Sequence, residues 1–375
     1  MAKVVLAYKG DNHSQSVLKW LIKRGDEVVC FIVDIGQDID LVRAESEARR
    51  AGASDVVALD FQEELLTQFL VPALKANALY EGICFPGEAL VAALIAKYQV
   101  DCAADMGAAH LCNGCHPKSM GKLRFDLAYK SLLPKVQIVS PWDDPQFVTT
   151  LNTGSIKVNS NLLQKTISGD TLERAHEEID QAIFPSSEDA TAVKVTIAFE
   201  HGVPTSVQDH SSGDKIEGLL DSFQFLNDIA EDLGIGRHDM VVNRLMGMKW
   251  REVYSAPAAT LLWAAHRDLE GLVLDKQILQ FKEQLSWQIA DCIYNGLCFA
   301  PEMRVLLSAI EESQEDLTGK VTLMLHRGYF EIVGRESVLS RYCETLNRME
   351  QLEAFNPDDV KGFVHIQGLR LQQRT

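Results

Sequence analysis

The stretch Lys9-Gly10-Asp11-Asn12-His13-Ser14-Gln15 stands between a continuous apolar run, Val4-Val5-Leu6-Ala7, and an amphipathic one, Val17-Leu18-Lys19-Trp20-Leu21. Buried strand, tight loop and helix in that order aim free backbone N–H groups and the positive end of a helix dipole at one point. The chemistry that suits such a point is phosphate binding. Gly10, Asp11 and Asn12 are turn formers, and Ser14 reads as the helix N-cap. As a phosphate cradle the loop is unusual. A cradle wants several small residues so that the backbone can approach, and here only Gly10 and the serines are small.

A second group lies at Cys112-Asn113-Gly114-Cys115, with His110 and His116 beside it. Thiols and imidazoles at this spacing suit zinc or an iron–sulfur cluster, or a sulfur-transfer site with a lowered thiol pKa. A second Cys pair is absent, so the plainer reading is a buried strand thiol at Cys112 with no resident metal. Lys118, Lys122 and Arg124 follow within ten residues. Glu88 and His13 are acid/base candidates.

The elements that position these residues alternate strand and helix. Strands are expected at 27–34, 53–59, 108–112 and 136–140, and helices at 38–51 (Leu41, Val42 and Ala48 inward), 62–70, 88–104 and 121–132. Pro72 should end or kink the helix at 62–70. Such alternation predicts an α/β fold: a parallel, right-handed, doubly wound sheet whose ligand sits at the strand C-termini. A polar tract at 144–170, a helix at 172–183 and a linker at 185–189 lead into a mixed second half. There a strand is expected at 192–200, helices at 217–233, 258–267, 276–297 and 303–315, and a hairpin at 319–333. The net charge of −17 excludes nucleic acid or an anionic membrane as a general partner, though it leaves room for a local basic pocket. No apolar run reaches membrane-spanning length, and the start lacks a signal-peptide pattern. The scattered cysteines then read as reduced thiols of a cytoplasmic protein.

Several segments carry a resemblance. KVVLAY at 3–8, VDIGQ at 33–37, KANALYEG at 75–82, LRFDLAYKSL at 123–132, NRLMGMKWREVYSAPAATLL at 243–262, YNGLCFAP at 294–301 and VKGFVHIQGLRL at 360–371 are similar, in order, to argininosuccinate synthase. That family is an N-type ATP pyrophosphatase; it joins citrulline to aspartate through a citrullyl-adenylate and releases pyrophosphate. The resemblance implies a HUP-type nucleotide-binding domain at 1–165. It implies an α+β synthetase/multimerisation domain with a C-terminal arm at 166–375, and a homotetramer. It implies ATP with Mg2+, a nucleotide and phosphate site at Ala7, Tyr8, Lys9, Gly10, Ser14, Val33, Gly36, Gly114 and Lys118, and a substrate or anion site at Cys84, Glu88, Arg124, Lys157, Thr166 and Tyr254. Cys84 then falls in the same cleft as Cys112, Cys115 and His116 as a candidate metal ligand, and the resemblance places Lys9, Lys118, Lys122, Arg124 and Lys157 around one cleft, a cationic set suited to phosphate, carboxylate or nucleotide.

The chemistry-bearing motifs depart from the family's pattern. Its pyrophosphate loop SGGLDTS is Lys9 to Gln15 here, with only Gly10 kept; by that resemblance Asp11 puts a carboxylate where the second glycine should face the phosphates, the wrong charge for pyrophosphate, with Lys9 and His13 placed to offset it. Its TGKGNDQVRF loop is His116 to Phe125, with Lys118 and Arg124 kept. A tyrosine of the citrulline pocket is Cys84, and the glutamate before Asn243-Arg244 is Val242. Three functions remain open on this reading: an ATP-dependent, adenylating C–N ligase with altered substrates and poor or no citrulline–aspartate ligation; a catalytically inactive homologue that binds a nucleotide, an anion or a partner; and a thiol- or metal-based sulfur-transfer enzyme on the same scaffold.

Overall fold

The computed structural model describes residues 2–37, 39–147, 149, 156–169, 172, 174–179, 184, 187, 191–244, 247–348 and 356–372. Its first layer follows from strands that are apolar throughout. In β1 (Lys3–Ala7) Val4, Val5 and Leu6 are buried, so both faces are covered. Helix α1 (Asn12–Lys23) lays Val17, Leu18 and Leu21 on it. Then come β2 (Glu27–Asp34), α2 (Leu41–Arg50), β3 (Asp55–Asp60) and α3 (Gln62–Glu64). A π-helical segment (Leu65–Leu70) leads into α4 (Val71–Lys75), followed by α5 (Gly87–Asp105), β4 (His110–Cys112), α6 (Met120–Leu132) and β5 (Gln137–Ile138). The strands are parallel in the order β3-β2-β1-β4-β5. The order reverses beside β1, so the crevice for a ligand opens between the loops after β1 and β4. Gln99 of α5, fully buried, fixes that pair of strands. Its Nε2 donates to Val5 O at 2.9 Å and Cys112 O at 3.1 Å, and Tyr129 OH donates to its Oε1.

Two expectations in this half need correction. Helix α2 begins at Leu41, after Asp40 accepts from Arg43 N, and turns Ala44 and Ala48 inward; Val42 is 80% exposed. Pro72 does not end its helix. The π-helical segment just before it takes up the register change that its missing N–H would otherwise impose.

The second half has two antiparallel sheets. One is β11-β12-β7-β6, built from β6 (Lys157–Ser160), β7 (Lys165–Ser168), β11 (Arg237–Asn243) and β12 (Lys249–Ser255). The other is β10-β9-β8-β13-β14, from β8 (Val193–Glu200), β9 (Val203–Asp209), β10 (Lys215–Glu217), β13 (Gly319–His326) and β14 (Tyr329–Glu336). Val195, Ile197, Phe199, Val321, Leu323 and Leu325 alternate inward on β8 and β13. Around them pack α7 (Leu219–Asp232), α8 (Pro257–Val273), α9 (Lys276–Tyr294) and α10 (Pro301–Ser313). Six of these strands, all but β8, β13 and β14, were not legible in the sequence. Most of the expected helix at 172–183 and of the linker at 185–189 lies outside the described residues. Residues 340–375 form a separate unit with α11 (Glu344–Asn347) and α12 (Pro357–Leu371). Among the described residues no helix is long and apolar enough to cross a membrane.

A buried charged cluster joins the two halves of the larger unit. Glu270 on α8 and Lys282 on α9 are both fully buried, 2.9 Å apart. Asn77 Nδ2 donates to Glu270 at 2.6 Å, and Gln314 Nε2 at 3.0 Å. His266, also fully buried, lies one turn before Glu270, at 3.7 Å. It faces Glu270 on its own helix, Lys282 on α9, Lys75 on α4, and Gln314. Burial pushes His266 down to about 4, outweighing the pull of Glu270. The ring is therefore neutral in the fold, and the unfolded chain binds the proton more readily. Stability is fully present above about pH 6.5 and is lost as pH falls toward 4, by roughly 3 kcal/mol at the limit. Denaturant midpoints at pH 7 and pH 5 should differ in that sense, with a shallower dependence in His266→Asn. A flat profile in the natural chain over that window would refute the neutral buried imidazole.

Candidate functional site

The loop after β1 is capped by its own side chain. Asp11, not Ser14, is the N-cap of α1: its Oδ1 accepts from Ser14 N at 2.7 Å, while Ser14, buried in the first turn, donates its hydroxyl to Asp11 O at 3.0 Å. The carboxylate stands where a phosphate would meet the helix N-terminus, and it satisfies a first-turn amide that a phosphate would use. Ala7 ends β1 opposite Phe31, and Tyr8 N donates to Phe31 O at 2.9 Å. Burial pushes the Tyr8 phenol up to about 12. Lys9 is exposed.

His13 closes the crevice from the same helix. Its Nε2 lies 2.8 Å from Gly114 O and its Nδ1 3.0 Å from Thr149 Oγ1. The carbonyl requires the proton on Nε2, leaving Nδ1 to accept from the threonine. Trp142 Nε1 donates to the same Gly114 carbonyl at 3.2 Å, and its ring stacks on His13 with centroids 5.9 Å apart. Phe147 and His116 meet the Trp142 ring edge-on. An aromatic lid thus covers the point where the β1 and β4 loops face each other.

The loop after β4 is also satisfied internally. Asn113 donates to Asp126 and accepts from Cys115 N, each at 3.0 Å. Ser119 caps α6, accepting from Lys122 N at 3.2 Å, and Lys118 N donates to His116 Nδ1 at 3.2 Å. Lys122 is ion-paired with Asp126, and Lys118 is exposed. Cys112 is fully buried and burial pushes it up to about 12; Cys115 rises for the same reason, against the pull of Lys9 and Lys122. The lowered thiol pKa expected for sulfur transfer is therefore reversed, because Cys112 sits in the packed interior and Cys115 is partly buried against it. Among the described residues no three His, Cys, Asp or Glu side chains group as metal ligands.

The VDIGQ turn holds itself. Gln37 donates to Val33 O at 2.5 Å and accepts from Ile35 N at 2.8 Å. Asp34 accepts from Gly36 N at 2.9 Å, and Ile35 O accepts from Leu162 N at 2.7 Å. Gly36 has φ +77°, and a Cβ there would lie 2.8 Å from Leu162 Cβ. Close packing on the 161–164 turn alone requires this glycine.

The residues expected to line a substrate or anion site fall into three bonded groups. Tyr254 OH accepts from Phe85 N at 2.9 Å, and Cys84 Sγ, buried and raised to about 12 by desolvation, donates to Phe85 O at 3.8 Å. Thr166, opposite Tyr254 in the β12–β7 ladder, donates to Glu88 Oε1 at 3.1 Å and accepts from Gln164 Nε2 at 2.8 Å. Arg124 is buried; its Nε donates to Tyr294 O at 2.8 Å and its guanidinium lies over the Tyr294 ring at 4.8 Å. Burial lowers its pKa, partly offset by Tyr294, Glu252 and Glu88. Among the described residues no carboxylate pairs with it. The structure thus sets Arg124 beside Tyr294 and Glu252, while Lys9 and Lys122 act together on Cys115. The Lys157 side chain lies outside the described residues. Trp142, Thr149, Glu252 and Tyr294 went unnoticed in the sequence, since each joins the site from far along the chain, and Gln164 did so because a glutamine two residues before Thr166 carries no signal of its own.

The description "Arginosuccinate synthase N-terminal HUP domain" matches residues 3–153 as a family model, and "Arginosuccinate synthase C-terminal domain" matches 156–374. The chain belongs to the argininosuccinate synthase family. Proteins named argininosuccinate synthase from Thermotoga maritima and Pseudothermotoga lettingae are 35% and 37% identical to it over 99% of this chain, covering 97% and 93% of their own lengths. The human protein of that name is 32% identical, over 99% of this chain and 96% of its own. The parallel sheet is the family's HUP domain, and the antiparallel sheets belong to its C-terminal domain.

Proposed function

We propose that this chain is a family member that has lost citrulline–aspartate ligation: an inactive homologue whose phosphate subsite is filled by its own residues. One observation carries the reading. The Asp11 carboxylate caps α1 where pyrophosphate would bind, with His13 closing on Gly114 beside it. The residues present do not fit MgATP. An anion at that helix end would meet a fixed negative charge, and the donors of the 33–37 turn already have partners. The test is AMP formation from ATP, Mg2+, citrulline and aspartate, expected at background.

A second reading, an adenylating C–N ligase with other substrates, is favoured by the exposed Lys9 and Lys118, which remain available to an anion. Pyrophosphate release from ATP with some other acid and amine would support it. A small anion at those lysines is compatible with both readings. No nucleic acid or membrane partner is proposed for a chain of charge −17.

The arm favours self-assembly. On α12, Phe363, Val364, Ile366, Leu369 and Leu371 are all more than half exposed, an apolar surface that a lone unit leaves in water. The family's tetramer gives it an occupant. Light scattering at micromolar concentration should report four times the 41.7 kDa chain, and removal of 340–375 should lower that mass. A monomer would rule this assembly out.

A further inference from the structure

The turn between β6 and β7 sends one side chain among the residues expected to line a substrate or anion site. Gln164 is only 5% exposed. Its backbone is fixed from behind: its N–H donates to Asn161 Oδ1 at 3.1 Å, and its carbonyl accepts from Asn161 N at 3.0 Å. Among the described residues its carboxamide makes a single hydrogen bond. Nε2 donates to Thr166 Oγ1 at 2.8 Å, and Thr166 in turn donates its hydroxyl to Glu88 Oε1 at 3.1 Å. Gln164 Oε1 is buried with no hydrogen-bond partner among those residues.

That oxygen lies against the first residue of α5. A Cβ on Gly87 would collide with Gln164 Oε1 and stand 2.8 Å from its Cδ. Cα–Cβ bonds lean toward a helix's N-terminus, so an atom crowding this position sits at the positive end of the α5 dipole. Pro86 holds the N-cap place, and no side chain caps this end. The partial negative charge of an amide oxygen is favoured there. Gly87 is not among the glycines of positive φ. Space alone calls for glycine, and the Gln164 amide and the Phe85 ring edge fill it.

These features suit one chemical group. Thr166 gives its only proton to Glu88, so toward Gln164 its oxygen can only accept; a carboxylate has no proton to offer it. An ammonium offers no oxygen to the helix end. A primary amide or a urea supplies both the N–H and the carbonyl on one carbon, and is neutral beside Glu88. We propose that the α5 end, Gly87 and Thr166 form a carboxamide-binding site occupied in cis, with Gln164 as a built-in plug that closes it to free amide- or urea-bearing molecules. The inference deepens the reading that this chain fills its own subsites, and rests on it for its functional meaning.

The experiment is a thermal-shift titration of the full chain with acetamide, which equals the Gln164 side chain beyond Cβ. Gln164→Ala should melt below the natural chain. Acetamide at concentrations well above its Kd should then raise the variant's Tm by about 2 °C or more relative to its effect on the natural chain. Acetone, of the same shape but without N–H, should not. No rise, an equal change in the natural chain, or an equal rise with acetone overturns the proposal. Should that variant not fold, Gly87→Ala decides. Its methyl would displace Oε1, so its denaturant midpoint must fall, whereas glycine to alanine within a helix normally raises it. An unchanged or raised midpoint overturns the proposal. AMP formation is measured apart from both, so this inference and the loss of ligation fail separately.

Discussion

Supplied with ATP, Mg2+, citrulline and aspartate, the purified protein is expected to form AMP at no more than about a thousandth of the rate of an ordinary argininosuccinate synthase. Three departures from the family's motifs, in the roles that the resemblance implies for them, are proposed to act together. Asp11 replaces a phosphate-facing glycine and blocks the helix end itself. The aspartate- and asparagine-bearing loop has become Ser119-Met120-Gly121, with Ser119 turned to cap α6. The citrulline tyrosine has become Cys84, a buried neutral thiol bonded to its own neighbour's carbonyl. Removing one well-aligned hydrogen bond from a transition state costs roughly 1.5–3 kcal/mol, and three such removals exceed the ~4 kcal/mol of a thousandfold. A rate within about tenfold of an ordinary synthase, a gap of only ~1.4 kcal/mol, would contradict this.

The second large effect concerns stability. Glu270→Gln should cost roughly 3–5 kcal/mol, because it strands the Lys282 ammonium in a site with no solvent exposure. Removing both charges, as Glu270→Gln with Lys282→Met, should recover a substantial part of that loss, since the desolvated charge goes too. Denaturant midpoints of the natural chain, both single variants and the double variant make the cycle. A single variant within about 1 kcal/mol of the natural chain, or a double variant worse than either single, would show that the pair does not work as a buried couple.

The first half of the fold was legible because its strands are apolar throughout and its loops carry turn formers. Val4-Val5-Leu6 and the run at 27–34 announce a two-faced parallel sheet, and the structure pairs Leu6 with both Cys30 and Cys112. The short strands β6, β7 and β9–β12 were missed because lysines, threonines and asparagines on half-exposed edges mask their alternation. Lys249-Trp250-Arg251-Glu252 shows no pattern until Val253. At the site, the residue types were readable but their partners were not. Asp11 was visible as the wrong charge for a phosphate, yet nothing local marked it as the helix cap in place of Ser14. His13 reaches Gly114, 101 residues away, and Arg124 reaches Tyr294, 170 away. A cationic set that the resemblance gathers into one cleft was divided by folding: Lys122 bonds one turn along its own helix to Asp126, and Arg124 is buried against an aromatic ring.

The central claim is that the helix end of the phosphate subsite is occupied by the chain itself. Calorimetric titration of Mg-pyrophosphate and MgATP tests it most directly, with the natural chain set beside Asp11→Gly/His13→Asp. That variant removes the capping carboxylate at little cost to the helix, since glycine is itself a fair N-cap, and it takes the imidazole off Gly114. The account predicts no saturable binding by the natural chain below about 1 mM, a free energy of ~4 kcal/mol or less, and measurable binding by the variant. Micromolar binding of MgATP or Mg-pyrophosphate by the natural chain would contradict it.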